Sequence, residues 1–176
     1  MKNNEMYQDI AYWVIDVDGT LTDSSIYYDE TGNEMKKFST RDAAGIFAAR
    51  ACEMQIIVIT GRVCAATERR MKDLKVDYLF QNIHNKRIFL EQFMKLHCIR
   101  KEQLGYIGDD LNDLAAMDLA GFIGCPIDAC QEIRERAQYI SQKSGGYGAV
   151  RDVLEYVLRK SGRWEEAVSK LYDVTV

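Results

Sequence analysis

Three apolar runs in this chain stop abruptly on small or acidic residues, and this pattern constrains the fold more than any other feature. Ile10–Val17 is almost continuously apolar and ends in Asp16-Val17-Asp18-Gly19-Thr20. Gln55–Thr60 closes on Gly61, and Leu104–Gly108 closes on Asp109-Asp110. A strand wetted on one face alternates apolar and polar residues. An unbroken apolar run instead suits a strand covered on both faces, as in a parallel sheet layered with helices. Polar groups that follow such runs therefore gather along one edge of the sheet, at the carboxyl ends of its strands.

The intervening segments supply the other elements. Ile26-Tyr27-Tyr28-Asp29 and Glu34-Met35-Lys36-Lys37-Phe38 flank a Gly32-Asn33 turn and read as a β-hairpin that projects from the core. Thr40 or Asp42 is positioned to cap a helix running to Glu53, with Ile46 and Phe47 inward. A helix over Cys64–Leu74 and a short third strand over Asp77–Gln81 follow. Asn85–His97 is expected to be helical, with Ile88, Phe89, Phe93 and Leu96 on one face. Leu111–Leu119 is expected as a helix and Gly121–Cys125 as a fifth strand. After Gly145-Gly146-Tyr147-Gly148, residues Val150, Val153, Leu154, Val157 and Leu158 follow helical spacing. The tail from Ser161 to Val176 has weaker periodicity and is expected to pack on a neighbour, with Trp164 suited to either core or interface. Alternating strands and helices define an α/β fold with a parallel sheet.

Composition narrows the functional classes. The chain has 176 residues, a net charge of −4, 47% apolar residues and one proline. That length fits one domain over 1–176 and excludes a disordered or low-complexity chain. The acidic balance argues against nucleic acid, and no apolar run reaches the roughly 20 residues of a membrane span. A polar N-terminus without a signal-type apolar stretch, and five cysteines without a CxxC pair, point to a reducing cytoplasm. His84 and His97 have no metal-ligand spacing with cysteine, which argues against zinc.

The chemistry follows from the strand ends. Asp16 and Asp18 after the first strand, and Asp109, Asp110 and Asp113 after the fourth, form a carboxylate cluster that calls for a cation. Hard oxygen ligands suit magnesium. A carboxylate can also attack phosphorus, and a second one two residues on can serve as acid and base. Asp16 is accordingly read as nucleophile and Asp18 as acid/base. Thr60 and Gly61 offer hydrogen bonds to phosphate oxygens, and Lys86 a positive charge. Asp113 taken alone reads as a residue that only holds its loop, and Lys86 alone is equally well a solvated lysine at a helix start.

These residues resemble the four motifs of the haloacid dehalogenase (HAD) superfamily: Asp16-Val17-Asp18-Gly19-Thr20, Thr60-Gly61, Lys86, and Gly108-Asp109-Asp110-Leu111-Asn112-Asp113. The segments Thr22-Asp23, Lys36-Lys37-Phe38, Arg41-Asp42-Ala43-Ala44-Gly45-Ile46, Thr60-Gly61-Arg62 and Gly145–Arg151 look like the 3-deoxy-D-manno-octulosonate 8-phosphate (KDO 8-phosphate) phosphatase family. The resemblance implies a HAD-like Rossmannoid three-layer sandwich with a small hairpin flap at about 26–38, a C-terminal helix and tail over about 148–176, and no large cap domain. It implies a homotetramer in which the hairpins assemble and a neighbouring subunit helps close the site. It also implies magnesium held by Asp16, the Asp18 carbonyl and Asp109, with Asp110 and Asp113 in support. Two departures stand out: Ala43 where the family pattern has Gly, and Thr20 where Val is common.

Substrate choice turns on Arg62. The related branch acting on sialic-type nine-carbon 9-phosphates carries Glu directly after the motif Thr-Gly, whereas the eight-carbon branch carries Arg. A guanidinium fork also suits a sugar-acid carboxylate, and Arg70 is placed to join it. The expected substrate is thus KDO 8-phosphate, with a nine-carbon ulosonate 9-phosphate as the alternative. A phospho-receiver domain fits less well, because the third strand ends near Gln81 without an Asp. A non-catalytic oligomerisation domain has no reason to retain Asp16, Asp18, Thr60, Lys86 and Asp109 together.

Overall fold

A computed structural model describes residues 5–174. Six strands form one parallel sheet: β1 (Tyr12–Ile15), β4 (Gln55–Ile59), β5 (Tyr78–Phe80), β6 (Leu104–Ile107), β7 (Phe122–Cys125) and β8 (Tyr139–Ile140), in the order β5-β4-β1-β6-β7-β8. The order reverses at β1, so the crevice beyond its carboxyl end lies at the topological switch point of a doubly wound α/β fold. A separate two-stranded hairpin, β2 (Tyr27–Tyr28) and β3 (Glu34–Met35), follows β1.

Strand residues alternate between two apolar layers. Trp13, Ile15, Ile56 and Val58 face one layer, while Val14, Ile57 and Ile59 face the other. The first layer is roofed by α2 (Thr40–Ala51), α3 (Ala65–Asp73), α7 (Ala149–Lys160) and α8 (Trp164–Tyr172). The second is roofed by α4 (Lys86–Leu96), α5 (Leu111–Met117) and α6 (Gln131–Arg136). A short α1 (Glu5–Gln8) precedes β1. Trp13, fully buried, donates to Met54 Sδ at 3.3 Å and meets Phe122 edge-on. In α7 the side chains of Val150, Val153, Leu154, Val157 and Leu158 are fully buried, each worth about 1.5–3 kcal/mol.

Several expectations need correction. Ser39, not Thr40 or Asp42, caps α2: its backbone is extended and its hydroxyl accepts from the Arg41 N–H. Asp42 instead lies buried in the first turn and accepts from the Arg151 N–H of α7 at 3.0 Å. On α4 the buried stripe is Lys86, Leu90 and Phe93, and Ile88 and Leu96 are exposed. A lysine occupying a core-facing position disguised the true helical face. The sheet has six strands rather than five, because β8 is two half-buried or exposed residues with no apolar run to announce it. The tail forms α8, whose Trp164 and Ala167 are buried against this chain's own first layer. α7 and α8 pack together and on α2 over this first layer.

Candidate active site

Asp16 follows β1 directly, and its N–H donates to the Ile107 carbonyl of β6, so the two strand ends are locked together at the switch point. The chain then makes a single wide turn over Val17–Leu21, closed by Thr22 N–H to the Val17 carbonyl at 3.0 Å. Gly19 adopts φ +96° within it, and a Cβ there would overlap the Asp109 carboxylate. Only glycine permits both that backbone angle and that approach. The turn brings the Thr20 hydroxyl within 2.8 Å of Asp109 Oδ1. Thr20, noted above as a departure from the family pattern, thus donates to the Asp109 carboxylate through the hydroxyl that Val lacks.

Lys86 sits at the first position of α4, capped by the Asn85 side chain, and is 2% exposed. Its ammonium lies 2.5 Å from Asp16 Oδ1 and 2.7 Å from Asp113 Oδ1. The solvated-lysine reading is therefore wrong for this residue. Asp113 is fully buried and also accepts from Tyr106 Oη at 2.7 Å and from the Asp109 N–H at 3.3 Å. Carboxylate oxygens of Asp16, Asp109 and Asp113 all lie within 4.8 Å of one another.

Two of the three carboxylates hold one buried ammonium between them, and the charge excess shows in the protonation of Asp16 and Asp109. Burial, then the Asp113 charge, pushes Asp16 well above the carboxylate range against the pull of Lys86. Burial, with the charges of Asp113 and Asp110, raises Asp109 to about 7 although the Thr20 hydrogen bond opposes it. Burial works against the Lys86 ammonium, but Asp16 and Asp113 outweigh it and raise its pKa. Burial and Asp113 raise Tyr106 well above its ordinary value, keeping it a hydrogen-bond donor. A hard divalent cation fits this donor set: its oxygens are close, its charge is in excess, and a cation reverses the upward shifts.

The other expected residues are placed as follows. Thr60, 2% exposed at the end of β4, has its hydroxyl 3.5 Å from Asp18 Oδ2 and accepts from the Arg62 N–H. Gly61 follows in open space, with Ile83 O the nearest atom to an added Cβ at 3.7 Å. Asp110 caps α5, its carboxylate accepting from the Leu111 N–H at 2.8 Å, outside the Asp16–Asp109–Asp113 cluster. Arg62 is exposed and lies 3.9 Å from Glu34 of the hairpin. Arg70 donates to the Ser39 carbonyl at 3.0 Å, and its charge pulls against the burial that raises Asp42 to about 6. His84 is exposed. Two residues near the site were not foreseen. Tyr106 reads in the sequence as one more core residue of β6. Lys36 enters the sequence reading only within the Lys36-Lys37-Phe38 segment of the family resemblance, with no role of its own, yet its ammonium is 2.5 Å from Asp18 Oδ1.

A doubly wound parallel sheet with buried carboxylates at its switch point fits a HAD-type hydrolase, and the comparisons place the fold there. A Legionella pneumophila HAD superfamily (subfamily III A) hydrolase superposes with a TM-score of 0.91 at 28% identity, covering 97% of this chain and 94% of that one. The KDO 8-phosphate phosphatase KdsC of Escherichia coli K12 is 35% identical over 160 residues, 91% of this chain and 85% of that protein. The KDO 8-phosphate phosphatase of Moraxella catarrhalis, crystallised with a magnesium ion, a phosphate ion and KDO, superposes with a TM-score of 0.90 at 33% identity, covering 96% and 97% of the two chains. No family model matches the sequence. The chain belongs to the KDO 8-phosphate phosphatase family of HAD hydrolases. Among the described residues, no helix is long and apolar enough to cross a membrane.

Proposed function

We propose that this chain is a magnesium-dependent phosphomonoesterase that hydrolyses KDO 8-phosphate to KDO and phosphate through an aspartyl-phosphate. The observation that carries the reading is the convergence of Asp16, Asp109 and Asp113 at the switch point, with Asp16 and Asp113 on the buried Lys86 ammonium. Asp16 attacks phosphorus while Asp18, two residues on, gives its proton to the departing sugar oxygen. Asp18 then takes a proton from the water that cleaves the aspartyl-phosphate. Thr60, Gly61 and Lys86 hold the phosphoryl oxygens and Arg62 the sugar-acid carboxylate, with Arg70 reaching the same group from α3. Asp16, the Asp18 carbonyl and Asp109 would hold magnesium, supported by Asp110 and Asp113. The ion supplies neutralisation of the charge on the transferring group.

In this reading one domain spans the chain, and it works as a cytoplasmic homotetramer. The hairpin supports assembly: Tyr27, Tyr28 and Met35 are 52%, 63% and 49% exposed, more apolar surface than a two-stranded ribbon keeps in water to advantage. Phosphate release with magnesium, compared between KDO 8-phosphate and sialic-type 9-phosphates at matched concentrations, tests the substrate. Preference for the eight-carbon acid is expected; preference for the nine-carbon acids keeps the mechanism and refutes the Arg62 assignment.

A further inference from the structure

Lys36 has no role in the chemistry above, yet its side chain is wholly buried, with its ammonium 2.5 Å from Asp18 Oδ1 and 3.3 Å from Glu34 Oε1. A lysine just past a two-residue strand ordinarily sends its charge to water. Burying it is costly unless carboxylates compensate, so its place is specified by those two partners. The backbone around it is pinned as well. Phe38 bridges Thr22 in antiparallel fashion, and Lys37 reaches Asp23 at 3.0 Å, tying the hairpin's exit to the turn that carries Asp18. The Glu34 carbonyl accepts from Cys64 Sγ at 3.8 Å, tying its other side to the start of α3. Asp18, with 28% of its side chain exposed, meets Lys36 on one oxygen and, more distantly, the Thr60 hydroxyl on the other.

We propose that Lys36 is a positioning residue that fixes the Asp18 carboxyl for proton transfer to the leaving oxygen. The inference rests on Asp16 as nucleophile and Asp18 as acid/base. In that step a bond forms from an Asp16 oxygen to phosphorus and the bond from phosphorus to the ester oxygen breaks. The Asp18 proton goes to the departing oxygen, leaving a neutral alcohol and an Asp18 carboxylate. Lys36 makes and breaks no covalent bond. Its charge-assisted hydrogen bond selects one rotamer of a carboxyl that is otherwise free to turn toward solvent.

The leaving group provides the test. An alkoxide needs the proton as it departs, whereas a nitrophenolate leaves without one, and kcat/KM covers the steps up to that cleavage. Lys36→Met and Lys36→Arg are assayed on KDO 8-phosphate, on glycerol 2-phosphate and on 4-nitrophenyl phosphate. Lys36→Met is expected to lose about 10–100-fold in kcat/KM on both alkyl esters, and less than about threefold on the aryl ester. Lys36→Arg restores most of the loss. Loss confined to KDO 8-phosphate would make Lys36 a substrate contact and overturn the proposal. Equal loss on all three esters, or no loss, overturns it too. Lys36→Gln carries the same comparison if Lys36→Met melts early. Asp16→Asn run in parallel separates the two levels. If it keeps turnover, the underlying mechanism fails; if it is inactive while the Lys36 variants show no leaving-group pattern, only the role of Lys36 fails.

Discussion

Lys86→Met removes the ammonium that contacts both Asp16 and Asp113 and should show first as a stability defect. The two contacts, 2.5 and 2.7 Å, are each worth about 6 kcal/mol of gross attraction at an effective dielectric of about 20. Most of that offsets the desolvation of three charges, so the net value of the intact triad is small. Breaking it is another matter, because Asp16 and Asp113 are left buried with their partner gone, a loss of about 3–5 kcal/mol. For a chain of this size each kcal/mol lowers the melting temperature by about 2–4 °C, so the variant should melt roughly 6–20 °C below the parent. The assay is thermal unfolding in EDTA at pH 8 and at pH 5. The defect should be larger at pH 8, since protonating Asp16 relieves an unpaired carboxylate. Magnesium should recover part of it by supplying positive charge to the same oxygens. A variant melting within 2 °C of the parent at pH 8 in EDTA would show that the ammonium does not compensate those carboxylates, and the electrostatic account of the site would be wrong.

Three further outcomes are expected. In EDTA the parent should lose stability as pH rises from about 4 through about 7: burial raises Asp42 to about 6 and Asp109 to about 7, so their folded forms hold protons that the unfolded chain has released. Melting temperature against pH checks this, and a rise over that interval contradicts it. Gly19→Ala forces φ +96° on a residue whose Cβ meets the Asp109 carboxylate. It should weaken magnesium binding at least tenfold by titration calorimetry, and unchanged affinity would mean Asp109 does not bind the ion. Arg62→Ala should lower turnover of KDO 8-phosphate far more than that of 4-nitrophenyl phosphate; equal losses would remove its part in recognising the sugar acid.

What the sequence discloses and what it hides have physical reasons. Strands β1, β4 and β6 are legible because both of their faces are covered, which writes an unbroken apolar run into each. Asp16, Thr60 and Asp109 stand out because they interrupt those runs at the end where the sheet places its reactive groups. The inner face of α4 is not legible: Lys86 holds one position of its buried stripe and scores as polar, although two carboxylates make that position habitable. β8 carries no signal, being two residues long on the sheet's edge. Asp113 looks like a loop residue until Tyr106, Lys86 and the Asp109 N–H are seen to converge on it. Lys36 is hidden for a different reason. Its burial depends on the hairpin folding back over the turn after β1, a tertiary event that no local pattern records.

The most direct test of the central claim is phosphate release from KDO 8-phosphate, with magnesium, by the parent chain and by Asp16→Asn side by side. The account predicts steady release by the parent and none above background by the variant, whose unfolding transition stays cooperative. Near-parental turnover by Asp16→Asn would contradict Asp16 as the attacking group, and a folded parent that leaves KDO 8-phosphate intact would contradict the function itself.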